Sequence, residues 1–298
     1  MLNNFHTFAW DGFSFRIPAD WNLAAYYFGK HESRIEMQDD FALRLQFDWT
    51  RPLRKLNEIR AMEQYEKACS KIEKSALSIE QLQTLNCWHA SFVSLPDKKS
   101  FVIGIYIKPE SNFFALVRIF FEKTGKTQPL EIFHRMADSF VLYDGDIIPW
   151  EPYDLRWELN RQFTLAITSL KAGNKFFQFH WRRRRLMLWQ ISMADWILKN
   201  KKICEWAVEF LSKNRTVEGV KFVCDNDNIV CVRRKYRFPL GHFEDIARLC
   251  YKYRAFATHN SGSNSILVGV YHYRYEKDIT QVGSDIAEML QKTPSPKV

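Results

Sequence analysis

Residues 177–190 read FQFHWRRRRLMLWQ, and residues 45–55 read LQFDWTRPLRK. Both share the frame x-Q-F-x-W followed by basic residues, 132 positions apart. In each, Phe and Trp alternate with polar positions, the period-two pattern of a half-buried strand. Helical spacing follows both. Leu56, Ile59, Met62, Tyr65, Cys69 and Ile72 predict a helix over 54–74, with charge on the other face. Trp189, Met193, Trp196, Ile197, Cys204, Val208 and Leu211 predict a longer one over 187–212. The agreement of frame, charge and following helix reads as an internal duplication.

The stretch YDGDIIPWEPYD at 143–154 holds two prolines, a glycine and four acids, and reads as a linker. It divides the chain into expected domains at 1–145 and 146–298. Strands are expected at 12–18, 33–38, 41–49, 87–95, 101–108 and 113–121 in the first. The second offers strands near 155–159, 163–169, 175–181, 217–224, 228–236 and 265–274. Further helices are expected near 128–139, 242–254 and 279–291. Bunched strands with helices laid over them predict an α+β class: two similar domains, each a mainly antiparallel sheet covered by helices. Aromatic residues make up 15% of the 298, which supplies ample material for both cores.

The stretch WDGFSFRIPADWNL at 10–23 resembles the opening of PsbP-like domains, in which an aromatic-rich first strand runs into a proline and then a tryptophan. Phe13, Phe15, Ile17, Pro18 and Trp21 carry the likeness. It covers the first strand, the first half more loosely, and the second half only through the internal echo. The resemblance implies an antiparallel sheet with helices and a non-enzymatic accessory or binding role, in settings such as photosystem assembly, small GTPases or cell-envelope functions.

The six cysteines form no C-x-x-C pair, and three lie in amphipathic helical patterns, which fits reduced thiols in a cytosol. The N-terminal residues lack a basic segment followed by an apolar core, and no apolar run has the length of a membrane span. The expected compartment is the cytoplasm.

Charge is unevenly distributed. Residues 1–148 hold 18 Lys and Arg against 19 Asp and Glu, whereas residues 149–298 hold 25 against 15. A basic second half points to an anionic partner.

No pair of the eight histidines has metal-ligand spacing. CWH at 87–89 places Cys87 and His89 on one face of an expected strand, where a structural pair is the simpler reading than a nucleophile. THNSGSNS at 258–265 lacks phosphate-loop spacing and reads as a surface loop. DNDN at 225–228 reads as a hairpin turn rather than a calcium loop. No catalytic residue, metal or cofactor is assigned, and an enzyme is disfavoured.

Arg182, Arg183, Arg184 and Arg185 would lie at the N-terminus of the expected 187–212 helix, where fixed cations oppose the helix dipole. There, guanidinium forks and free N–H groups would converge on phosphate or carboxylate. Arg233, Arg234, Lys235 and Arg237 form a second basic run at the end of a strand. Three partners compete. A non-catalytic accessory protein would bind an acidic protein through these residues. A nucleic-acid binder would use them on RNA or DNA backbone. An enzyme would orient an anionic substrate with them.

Overall fold

Asp11 and Gly12 adopt positive φ of 45° and 82° and turn strand β1 (Phe5–Trp10) back on β2 (Phe13–Pro18), an Asp-Gly hairpin. The structure, a computed structural model, describes the chain except for residues 1–3, 30–31, 53–57, 74–75, 97–98, 123–126, 153–155, 218–219, 226–227, 233–242 and 292–298. Two units are distinguished: 1–144 with 151–153, and 145–150 with 154–298.

In the first unit the hairpin precedes β3 (Asn22–Phe28), β4 (Ser33–Gln38) and β5 (Leu43–Thr50). Then come α1 (Glu58–Glu73), β6 (Ser78–Gln81), β7 (Trp88–Ser94), β8 (Lys99–Lys108), β9 (Phe113–Glu122), α2 (Thr127–Asp138) and β10 (Val141–Leu142). Seven strands form an antiparallel sheet in the order β3-β4-β5-β9-β8-β7-β6. One face is covered by the aromatic hairpin: Phe13 meets Phe47 at 4.8 Å and Trp49 at 5.1 Å. On that face α2 adds Phe133 edge-on to Trp88. On the other face α1 sets Ala61 and Tyr65 against Val93, Phe101, Ile103 and Ile105. Phe13, Phe15 and Ile17 of the quoted motif are core residues of β2, and Trp21 is buried just beyond it.

The second unit begins with the hairpin β11 (Ile147–Trp150) and β12 (Trp157–Asn160). It continues with β13 (Thr164–Lys171), β14 (Asn174–Trp181), β15 (Arg184–Ser192), α3 (Ala194–Ile197), α4 (Ile203–Lys213), β16 (Lys221–Asp225) and β17 (Asn228–Val232). The last elements are α5 (Phe243–Arg248), β18 (Lys252–Asn260), β19 (Ser265–Tyr273) and α6 (Ser284–Gln291). The sheet order is β13-β14-β15-β19-β18, and the β16–β17 hairpin lies with β17 against β18. Cys204, Ala207 and Leu211 of α4 seal one face over Met187, Trp189 and Ile191. The β11–β12 hairpin meets the other: Trp150 packs on Phe179 at 4.9 Å and Trp157 on Phe177 at 5.2 Å. Gly283, at φ 147°, lies so close to β12 that a Cβ would stand 2.1 Å from the Glu158 carbonyl oxygen.

The expectation of helix-covered α+β domains is therefore corrected. Nineteen strands stand against six α-helices among the described residues, and the fold is β-rich with several antiparallel sheets. In each unit an aromatic hairpin occupies sheet surface that the expectation gave to helices. The expected helix 187–212 is also corrected. Residues 184–192 form β15, buried on both faces, and the helical part is the single turn α3 and then α4 from Ile203. A strand buried on both faces is a near-continuous apolar run, which contains helical spacing by default.

Both units follow the order hairpin, three-strand meander, helix, four strands, helix, with β10 additional in the first and α3 and α5 in the second. The topological counterpart of β5 is β15. The sequence echo pairs β5 with β14 instead.

Cys204 and Cys224 are joined in a disulfide between α4 and β16, with Cα atoms 5.8 Å apart. The expectation of reduced thiols fails for this pair. Cys69, Cys87, Cys231 and Cys250 are not disulfide-bonded. No helix among the described residues is long and apolar enough to cross a membrane.

Candidate anion-binding site

The arginine run does not cap a helix. Arg182 and Arg183 are the exposed two-residue turn between β14 and β15, with Trp181 opposite Arg184 and His180 opposite Arg185. Arg182 sits at φ 53°, in the left-handed region that suits Gly or Asn. The equivalent turn of the first unit, between β4 and β5, is built differently. Asp39 Oδ1 accepts the N–H groups of Phe41 and Ala42 at 2.9 and 2.8 Å, and Oδ2 pairs with Arg44. The fold thus closes this hairpin without arginine at the turn positions themselves, Arg44 lying in β5.

Arg184 and Arg185 turn inward. Arg184 Nη2 donates to Asp278 Oδ1 at 2.6 Å, and its guanidinium lies 4.3 Å over the Trp181 ring. Asp278 is 1% exposed at its side chain and also accepts the N–H groups of Arg274 and Tyr275, at 3.3 and 2.9 Å. Burial pushes this carboxyl up, but Arg184 and the two N–H groups outweigh it and hold it below the ordinary range. The hydrogen bond to Asp278 raises Arg184 in turn. One buried carboxylate therefore ties the hairpin to segment 274–278. Arg185 is buried opposite His272 of β19.

That segment brings charges the sequence reading passed over. Arg274 and Lys277 stand 4.9 and 5.8 Å from the ring centroid of Tyr275, itself 46% exposed. Glu276 is taken up internally by Lys252 at 2.7 Å and Arg254 at 3.1 Å. Burial raises its pKa, and these cations bring it below the ordinary value. Among the described residues, no acid pairs with Arg182, Arg183, Arg274 or Lys277. Cation and aromatic residues flank the hairpin: Arg182 and Arg183 at its turn, Arg274, Tyr275 and Lys277 beside it. Such forks bind carboxylate or phosphate bidentately.

Arg233, Arg234, Lys235 and Arg237 lie outside the described residues. The run YRYEK at 273–277, starting on the last residue of β19, carried the usable signal, aromatic residues interleaved with charged ones.

Cys250, His272 and Asp245 also come together, types that could form a nucleophile and its base. Their geometry is structural. His272 Nε2 donates to the Cys250 backbone carbonyl at 2.8 Å, and its ring stacks on Tyr253 at 4.2 Å. The Cys250 thiol is directed at the Arg183 carbonyl, and burial pushes its pKa up, away from thiolate. Cys87 is in an exposed turn at φ 68°, so it does not share a strand face with His89 in β7. Residues 261–264 turn β18 into β19, and Asp225 and Asn228 close the β16–β17 hairpin. Among the described residues, no group of three or more His, Cys, Asp or Glu could hold a metal ion.

No family model matches the sequence, and no curated protein is significantly similar to it.

Proposed function

We propose that the chain is a non-catalytic accessory protein whose basic second unit engages an acidic protein through the β14–β15 hairpin. The observation that carries this reading is the turn itself. Two exposed arginines occupy it, one of them in a left-handed conformation, where the equivalent turn of the first unit uses Asp39. Backbone strain kept at an exposed site, when the fold can do without it, argues for a binding role. Arg184 and Arg185 support the turn from inside rather than contacting the partner. The resemblance to PsbP-like accessory domains points the same way.

A second reading is nucleic acid, favoured by Tyr275 beside two cations, an arrangement suited to stacking a base next to phosphate. Retention on immobilised poly-L-glutamate and on single-stranded RNA separates the two. The acidic-protein reading expects retention on the polypeptide, lost in Arg182→Ala/Arg183→Ala. Retention on RNA alone makes nucleic acid the partner, and retention on neither overturns both.

A further inference from the structure

We infer that the opposite end of the same sheet, centred on Met193 and Trp196, docks on an anionic lipid surface. This site is independent of the arginine hairpin. β15 runs from Arg184 at the hairpin to Ser192, so Met193 emerges at the far end of the strand. Trp196 is 75% exposed and Met193 62% exposed, on the single turn of α3. Met193 is the left-handed residue that leads into that turn and Trp196 lies within it, so the two exposed side chains come from one short segment. Ile197 and Leu198 pack inward against the core and anchor that turn.

The display is rigid. Met193 is held at φ 65°, a conformation unfavourable for an unbranched non-glycine residue and worse for bulkier ones. Asn264, itself at φ 45°, braces it from the β18–β19 turn. Its carbonyl accepts Ala194 N–H at 3.1 Å and its Oδ1 accepts Asp195 N–H at 2.9 Å. On the other side Ser192 N–H bonds the Gly173 carbonyl at 3.0 Å, which brings in the β13–β14 turn. Strain maintained by this bracing leaves two large apolar side chains in water.

Charge identifies the occupant. Lys171 and Lys175 flank the β13–β14 turn that Ser192 bonds, and Lys199 and Lys202 follow the pair in the chain. Of the two acids of α4, Glu209 is taken up by Lys201 and Lys213, and Glu205 is exposed. Asp195 faces His259 at 3.7 Å. A ring three-quarters exposed stands out from the turn that carries it. An indole and a thioether above a lysine rim match the boundary between headgroups and acyl chains of an anionic bilayer.

The full-length protein would be sedimented with vesicles of phosphatidylcholine alone or containing about one third phosphatidylglycerol. Binding is expected to the anionic vesicles and to weaken with salt. Withdrawing about a quarter of an indole's surface corresponds to roughly a tenfold change in partition, so Trp196→Ala should lose about that factor. Met193→Gly, which relieves the backbone, should also weaken binding, whereas Arg182→Ala/Arg183→Ala should leave it within about twofold. Unchanged thermal unfolding of the exposed-site variants excludes misfolding as the cause. Equal binding by Trp196→Ala and wild type, equal binding to both vesicles, or no binding to either overturns the inference.

Discussion

Replacing Asp278 with alanine removes the carboxylate on which Arg184 Nη2 and the N–H groups of Arg274 and Tyr275 converge. The Arg184 side chain is 15% exposed, so its charge would lose a buried partner with little water to replace it. Breaking a buried pair by removing one member costs about 3–5 kcal/mol, and Arg184's partial exposure places the expected loss near the lower end, about 3 kcal/mol. Urea denaturation of the full-length protein, followed by tryptophan fluorescence, would measure it. Replacing both partners, Arg184→Met with Asp278→Leu, should recover most of the loss, because no unpaired charge remains inside. The pH dependence follows in sign. Asp278 is held below its ordinary value in the folded state, so its contribution is complete above the unfolded pKa of about 3.9 and is lost as pH falls through the lower folded value. Wild-type stability should therefore fall more steeply below about pH 4 than that of Asp278→Asn. A loss under about 1 kcal/mol for Asp278→Ala would refute the argument that this carboxylate ties the hairpin to segment 274–278.

Other outcomes can be checked in the same unfolding assay. Arg182→Gly relieves a left-handed arginine and should leave stability unchanged or raise it by up to about 1 kcal/mol, while weakening poly-L-glutamate binding. Gly283→Ala drives a Cβ into the Glu158 carbonyl oxygen from a φ few residues accept, and should cost about 3 kcal/mol or more. Reducing the Cys204–Cys224 bridge, which spans 20 residues, should cost roughly 3 kcal/mol. Thiol titration of the denatured, unreduced protein should find the four cysteines outside the disulfide and not all six.

Several strands were legible because one face meets water. β4 and β5 alternate polar and buried residues, and the expected 33–38 and 41–49 lie on them. β15 was not legible, since Leu186 through Ile191 are buried on consecutive positions and mimic a helix as readily as a strand. The helix expected at 242–254 stops at Arg248: Leu249 takes φ 49°, and Lys252 begins β18. Its apolar spacing ran across that break without a proline or glycine to mark it. The x-Q-F-x-W echo matched strands of different rank in the meander, so its resemblance in letters did not follow the topology.

For the site, the exposed pair Arg182 and Arg183 could be read as charge alone. The fate of Arg184 could not, because its partner Asp278 lies 94 residues away and is brought in by β19. Arg185 was likewise hidden by register, facing His272 across the sheet.

The most direct measurement is a fluorescence anisotropy titration of labelled poly-L-glutamate with wild type and Arg182→Glu/Arg183→Glu. Exposed ion pairs contribute about 0.5–1 kcal/mol each, so reversing two should weaken binding by roughly tenfold or more. That loss, with unfolding unchanged, is the predicted result. Equal affinity of the two proteins, or no binding by wild type at low salt, would contradict the account.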